Sequence, residues 1–239
     1  GFWSFSYKGL NHDTGLPEFN HIYQQDEEGK IKLNPHGQPL LAKISEITDF
    51  LVYSGKTEPD FTGGITTRLR WKNLTFGANC SLLIGAQKRL PSPFPGKNHI
   101  PTSDINLDRE LINRWKEPGD ERKTNIPGLY TGIEPIDFTL PDVGFGGNTY
   151  TGTMTDPYEM WEKSDLRVVN ASFFRCQQMS LTWNMSERIC MQLGIKSFSV
   201  QAIVNNVFVI ASKKFHGFDP ELGNSVQPKT YSVGINVGF

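Results

Sequence analysis

The sequence has 239 residues, enough for one large domain or two small ones. Its charges nearly balance, with 24 Lys+Arg against 25 Asp+Glu, so no basic surface exists to bind phosphates and nucleic acid is excluded as the main partner. An aromatic content of 12% excludes a wholly disordered chain, and three scattered cysteines (Cys80, Cys176, Cys190) make neither a disulfide scaffold nor a C-x-x-C metal site.

No run of about 18 apolar residues is available for a transmembrane helix. No basic-then-apolar leader opens the sequence. Taken in chain order, the first element is a partial strand near 2–7, with Trp3, Phe5 and Tyr7 on one side. A long link over 8–63 follows. Helical spacing is rare along the chain; its best case is 42–53, where Ile44, Ile47, Phe50 and Leu51 recur.

From residue 64 the period becomes two, the mark of strands. In 64–72, Ile65, Thr67, Leu69 and Trp71 share one face, while Thr66, Arg68, Arg70 and Lys72 share the other. Lys72-Asn73 reads as a hairpin turn, which sets Trp71 opposite Leu74. In 74–86, Leu74, Phe76, Ala78, Cys80, Leu82, Ile84 and Ala86 alternate with polar or small residues, and Leu83 is an exception. After a second long link over 87–172, the strand 173–185 alternates from Met179 onward, but Arg175 and Gln177 spoil its upper apolar face. A link of about a dozen residues leads to 198–210, where Ile203 and Asn206 break the rule. A third long link, 211–229, precedes 230–239, whose Tyr231, Val233, Ile235, Val237 and Phe239 alternate with polar or small residues without error.

Short and long links therefore alternate. In an antiparallel sheet every long link then falls at one end, as in transmembrane β-barrels. Aromatic placement agrees: Trp71, Phe76, Trp183, Phe198 and Phe239 fall near the short-turn end, and Tyr7, Phe173, Phe208 and Tyr231 near the long-link end. The competing architecture is a secreted, soluble, sandwich-like β module, such as one that binds glycans. Each apolar side chain left in water costs roughly 1.5–3 kcal/mol relative to burial. A sandwich must cover this apolar face with a second sheet, and six strands divided in two leave little width for that.

Several segments resemble the C-terminal end of the SusC/RagA family of TonB-dependent outer-membrane transporters. They are SDLRVVNASFFRCQQMSLTWNM (164–185), LGIKSFSVQAIVNNVFVI (193–210), GFDPELG (217–223) and QPKTYSVGINVGF (227–239). Upstream, EPDFTGGITTRLRWKNLTFGANCSLLIGAQ (58–87) is similar to the family's paired barrel strands, and INRWKEPGDERKTNIPGL (112–129) to its external-loop segment. Cys176 departs from the aliphatic residue usual there.

The resemblance implies an all-β fold: an antiparallel transmembrane barrel segment of about six C-terminal strands, from a barrel of about 22, with long extracellular loops. The plug domain and TonB box are then expected to be absent from 1–239. The implied activity is TonB-energised import of oligosaccharides, peptides or other large nutrients across the outer membrane of a Gram-negative cell. The implied partners are a SusD-like surface lipoprotein, the TonB complex through the missing N-terminal region, outer-membrane lipid and the barrel-assembly machinery. An apolar strand ending in an aromatic is, by resemblance, the assembly signal, here Tyr231, Val233, Ile235, Val237 and Phe239.

The polar faces supply candidates for contact with solute or plug: Arg68, Arg70, Asn79, Ser81, Gln178, Thr182, Asn184, Gln201, Asn205 and Asn236. Such groups belong in a wet interior, because unpaired polar groups are costly in lipid. In the links, Trp115, Tyr130, Tyr150, Tyr158 and Trp161 are candidates for stacking on a ligand or for giving the loops a core. No catalytic constellation, cofactor motif or metal spacing is visible. The histidines His12, His21, His36, His99 and His216 are dispersed, and loop carboxylates such as Asp219, Glu221, Glu27 and Glu28 read as solvated. The chain is not expected to be an enzyme.

Overall fold

A computed structural model describes residues 1–24, 26–30, 32, 35, 51–94, 106–129, 156–223 and 225–239. The chain divides into two compact units, one formed by 1–55 and 89–168 and the other by 56–88 and 169–239. The strands in chain order are β1 (Trp3–Phe5), β2 (Tyr7–Leu10), β3 (Pro17–Phe19), β4 (Leu51–Tyr53), β5 (Phe61–Trp71), β6 (Leu74–Ile84), β7 (Gln87–Arg89), β8 (Val168–Asn170), β9 (Phe173–Asn184), β10 (Ser197–Ala211) and β11 (Thr230–Gly238). The α-helices are α1 (Pro157–Glu162) and α2 (Glu187–Gln192).

The second unit is built on one antiparallel sheet in the order β11-β10-β9-β6-β5, so strands neighbour one another in chain order. These are the five strands expected from residue 64 onward, with ends within three residues of the expected ones. The Lys72-Asn73 turn pairs Trp71 with Leu74, and Lys72 takes a positive φ of 50° there. Asn73 donates to the carbonyl of Asn184 at 2.7 Å, which brings both short links to the same end of the sheet. The sheet is open, with β5 and β11 at its edges; among the described residues no strand closes it into a barrel.

The strand expected near 2–7 is corrected. It breaks at Ser6 into β1 and β2, which pair with β4 and β3 in two-stranded sheets of the first unit. Tyr7 therefore leaves the expected aromatic row. The helical spacing expected over 42–53 falls mostly outside the described residues, and its last three positions are β4, paired with β1 through Phe5–Leu51.

The two longest links are not featureless either. They supply the first unit, whose core joins Phe19, Ile22, Phe94, Leu111, Tyr158, Met160 and Trp161. Helix α1 starts where the sequence reads Asp-Pro: the Asp156 carboxylate accepts from the Tyr158 N–H at 2.8 Å, and Pro157 needs no donor at the first turn. Its Tyr158 and Trp161 are buried, with the indole N–H donating to the Asn125 carbonyl at 2.9 Å. Gly15 has a φ of +65°, and the Trp115 ring occupies the space a Cβ would need. Among the described residues no helix is long and apolar enough to cross a membrane, which says nothing of crossing by strands.

Candidate functional site

The candidate site is the five-stranded sheet itself, because its two faces differ in chemistry. Strand pairing sets the apolar residues in rows. One row runs Trp71, Leu74, Trp183, Val200, Ile235 across all five strands, and the next runs Leu69, Phe76, Leu181, Ala202, Val233. Most of these side chains are exposed, Leu69 by 61%, Trp71 by 69% and Val233 by 75%, while Leu74, Phe76 and Val200 are half-buried. Among the described residues the other three sheets have two strands each. Trp183 and Phe198 meet edge to face at the short-link end, with ring centroids 6.4 Å apart.

The opposite face carries the polar candidates. Strand pairing puts Arg68, Arg70, Asn79, Ser81, Gln178, Thr182, Asn184, Gln201, Asn205 and Asn236 on that one face. Three of them form a continuous ladder. Asn79 donates to Gln178 at 3.2 Å, Gln178 to Asn205 at 3.2 Å, and Asn205 to Thr230 at 3.1 Å. Each side-chain amide thus has a neighbour to satisfy it across four strands. Arg68 and Arg70 are exposed on the edge strand β5, facing Gly77 and Thr75.

The exceptions to alternation mark bulges. In β9 one residue, Gln177, is skipped: Gln178 faces Asn79 and Cys176 faces Cys80. The extra residue swaps the two faces above it. Cys176 and Phe174 join the apolar side, while Arg175 turns to the polar side opposite Ser81. Phe174, not Phe173, therefore stacks near Phe208, with centroids 6.1 Å apart. In β10 the register shifts between Asn205 and Phe208; Asn206 adopts a φ of +53° and donates to the Pro228 carbonyl at 2.9 Å.

Arg175 anchors the third link. It holds Asp219 through both carboxylate oxygens at 2.6 and 2.7 Å and reaches Glu221 at 2.7 Å. Asp219 is 4% exposed, so the expectation of a solvated carboxylate is corrected: burial demands a partner, and Arg175 is it. Lys88 adds hydrogen bonds to the carbonyls of Pro220 and Glu221 at 2.7 and 3.1 Å. Beside this anchor lies a cavity of about 330 Å³, lined by Arg175, Asn206, Val209, Lys213, Phe215 and Lys229 among others. The sequence signal for the anchor was present in the charged Arg175 inside an apolar pattern.

The loop aromatics are placed differently from a ligand platform. Trp115, Tyr158 and Trp161 are buried, and Trp161 is capped by Phe94 and by the Arg167 guanidinium 4.7 Å above its ring. Tyr158 and Trp161 belong to the core of their unit, the second of the two roles expected for the loop aromatics. Tyr130 and Tyr150 lie outside the described residues, as do His36 and His99. His12 pairs with Glu121 at 2.9 Å, and that hydrogen bond raises the imidazole above its ordinary value and holds Glu121 at about 2. Burial pushes the Tyr7 phenol up. Among the described residues no group of three or more His, Cys, Asp or Glu could hold a metal ion.

No protein-family model and no curated protein matches the sequence. Solved structures do. The chain is similar to a chain of the RagAB peptide transporter, with 22% identity and a TM-score of 0.60. It is also similar to one in the RagAB peptide importer in the closed-closed and open-open states, with 21% identity and a TM-score of 0.57 in each. All of this chain is covered in each case, against 22–23% of the matched chain. The mostly antiparallel β fold is therefore similar to that of one segment of each of these longer chains.

Proposed function

We propose that this chain is the C-terminal part of the β-barrel of a SusC/RagA-like, TonB-dependent outer-membrane importer. The observation that carries the proposal is the sheet with one bare apolar face and one hydrogen-bonded polar face. In water the apolar rows cost roughly 1.5–3 kcal/mol per large side chain. Lipid covers them without further sequence, and the polar ladder then looks into a wet interior. The open edge of β5 would pair with a preceding strand of the same barrel, and β11 with its first strand. Tyr231, Val233, Ile235, Val237 and Phe239 would present the assembly signal to the barrel-assembly machinery.

The cargo would be a large nutrient, an oligosaccharide or a peptide; peptide is the cargo named for the similar RagAB structures. The unit formed by 1–55 and 89–168 supplies the external surface for a SusD-like lipoprotein. Energy would arrive from TonB through a plug encoded outside 1–239, so this segment alone transports nothing.

A lipid-soluble photolabel on the full-length protein in membranes tests the reading. Label is expected on Leu69, Trp71, Val233 and Ile235 and not on Arg70, Thr182 or Gln201. Equal labelling of both faces, or a protein recovered soluble without detergent as a glycan-binding module would be, overturns it.

A further inference from the structure

We propose that Cys80 and Cys176 are a redox pair that closes into a disulfide joining β6 to β9, with Cys190 left as the free thiol. The skipped residue Gln177 decides the partnership. In unbroken register Gln177 would face Cys80; the bulge brings Cys176 there instead. Directly opposed residues in an antiparallel ladder lie about 4.5–5.5 Å apart at Cα, inside the span of about 4.4–6.8 Å that a disulfide bridges. Cys190 is buried in α2, within the short link at the opposite end of β9. With no third ligand in the described residues, the pair has no metal to hold.

Accessibility divides the labour. Cys176 has no exposed surface, while Cys80 is half-buried. The Cys80 thiolate attacks a disulfide of a small-molecule or protein oxidant, forming a mixed disulfide and releasing one oxidant thiolate. The Cys176 thiolate then attacks the Cys80 sulfur and expels the second. Two electrons pass to the oxidant, which leaves as two thiols, and the protons of both cysteines are carried away with it or by solvent. Both thiols lie on the apolar face, so the oxidant reaches Cys80 before lipid covers that face. Closure in the cell additionally rests on the outer-membrane reading, since the periplasm is oxidising.

Alkylation with N-ethylmaleimide in denaturant, followed by mass spectrometry, counts free thiols. For a 1–239 mass region carrying three cysteines, oxidised glutathione is expected to reduce the alkylated count to one, with a crosslinked 80–176 peptide that reductant reopens. Cys190→Ser is expected to leave none; Cys80→Ser to leave two not bridged to one another; and Cys176→Ser to leave one, with Cys80 trapped as its mixed disulfide with glutathione. Three alkylated cysteines after oxidation, or a bridge to Cys190, overturn the pair. Closure by glutathione in vitro with three free thiols in protein quenched directly from cells instead counts against the oxidising compartment.

Discussion

On the proposed barrel reading, an arginine walked one position along β10 separates the apolar row, which would face lipid, from the polar one. Ala202 lies between Leu181 and Val233 in an apolar row, and Gln201 between Thr182 and Gly234 on the other face. Depth follows from strand geometry. Ala202 is four residues from Phe198 in the aromatic row at the short-link end. At about 3.3 Å per residue that is about 13 Å along the strand, or about 10 Å along the membrane normal at a tilt near 40°. An apolar band of about 25 Å therefore has Ala202 close to its middle. Ala202→Arg is expected to cost about 2–4 kcal/mol of barrel stability, a shift of about 30- to 700-fold in the folding equilibrium. Gln201→Arg is expected to cost less than about 1 kcal/mol, because water solvates the new charge. Ala202→Leu serves as the apolar control and is expected to leave stability near the parent. The assay is heat-modifiable gel mobility of the full-length protein in outer membranes, with urea midpoints after reconstitution in vesicles. Equal tolerance of the two arginines would refute the assignment of faces, however well the rows align.

The anchor at Arg175 gives a second expectation: Arg175→Ala leaves the Asp219 carboxylate buried without its partner and is expected to cost about 3–5 kcal/mol, read as faster proteolysis within 212–229, with partial recovery when Asp219→Asn is added. The His12–Glu121 pair gives a pH dependence. Because the imidazole is raised, its contribution is full below the unfolded histidine value and is lost as pH climbs through the raised one; because Glu121 is held at about 2, its share is lost only as pH falls through that value. NMR titration should find His12 shifted upward, and Glu121→Gln should abolish the shift. Deleting Gln177, the unpaired residue of the β9 bulge, leaves Cys176 opposite Cys80 and Arg175 opposite Ser81 in regular alternation and is expected to keep both faces and the Arg175 anchor; a loss of outer-membrane abundance as large as that of Ala202→Arg would contradict the register.

What could be read in the sequence was whatever repeats along a strand. The sheet from β5 to β11, the Lys72-Asn73 turn and both faces followed from period two because each strand carries its own pattern. The first unit has no such signal. Tyr158 and Trp161 pack against Phe19 and Ile22 from a distant part of the chain, and only closure of the chain brings them together. The breaks in alternation were legible too, once their meaning is known. Arg175 and Gln177 look like errors until one skipped residue rotates everything above it; Asn206 looks like a polar intruder until the shift in β10 lets it reach the Pro228 carbonyl. All three lie in the outer part of the strands, where β9 and β10 meet the long links. A bulge there lets a strand keep an apolar face and still turn a charged side chain to the other face to hold a loop, as Arg175 holds Asp219. The same extra residue brings Cys176 opposite Cys80, so a single departure from period two sets both the loop anchor and the thiol pair.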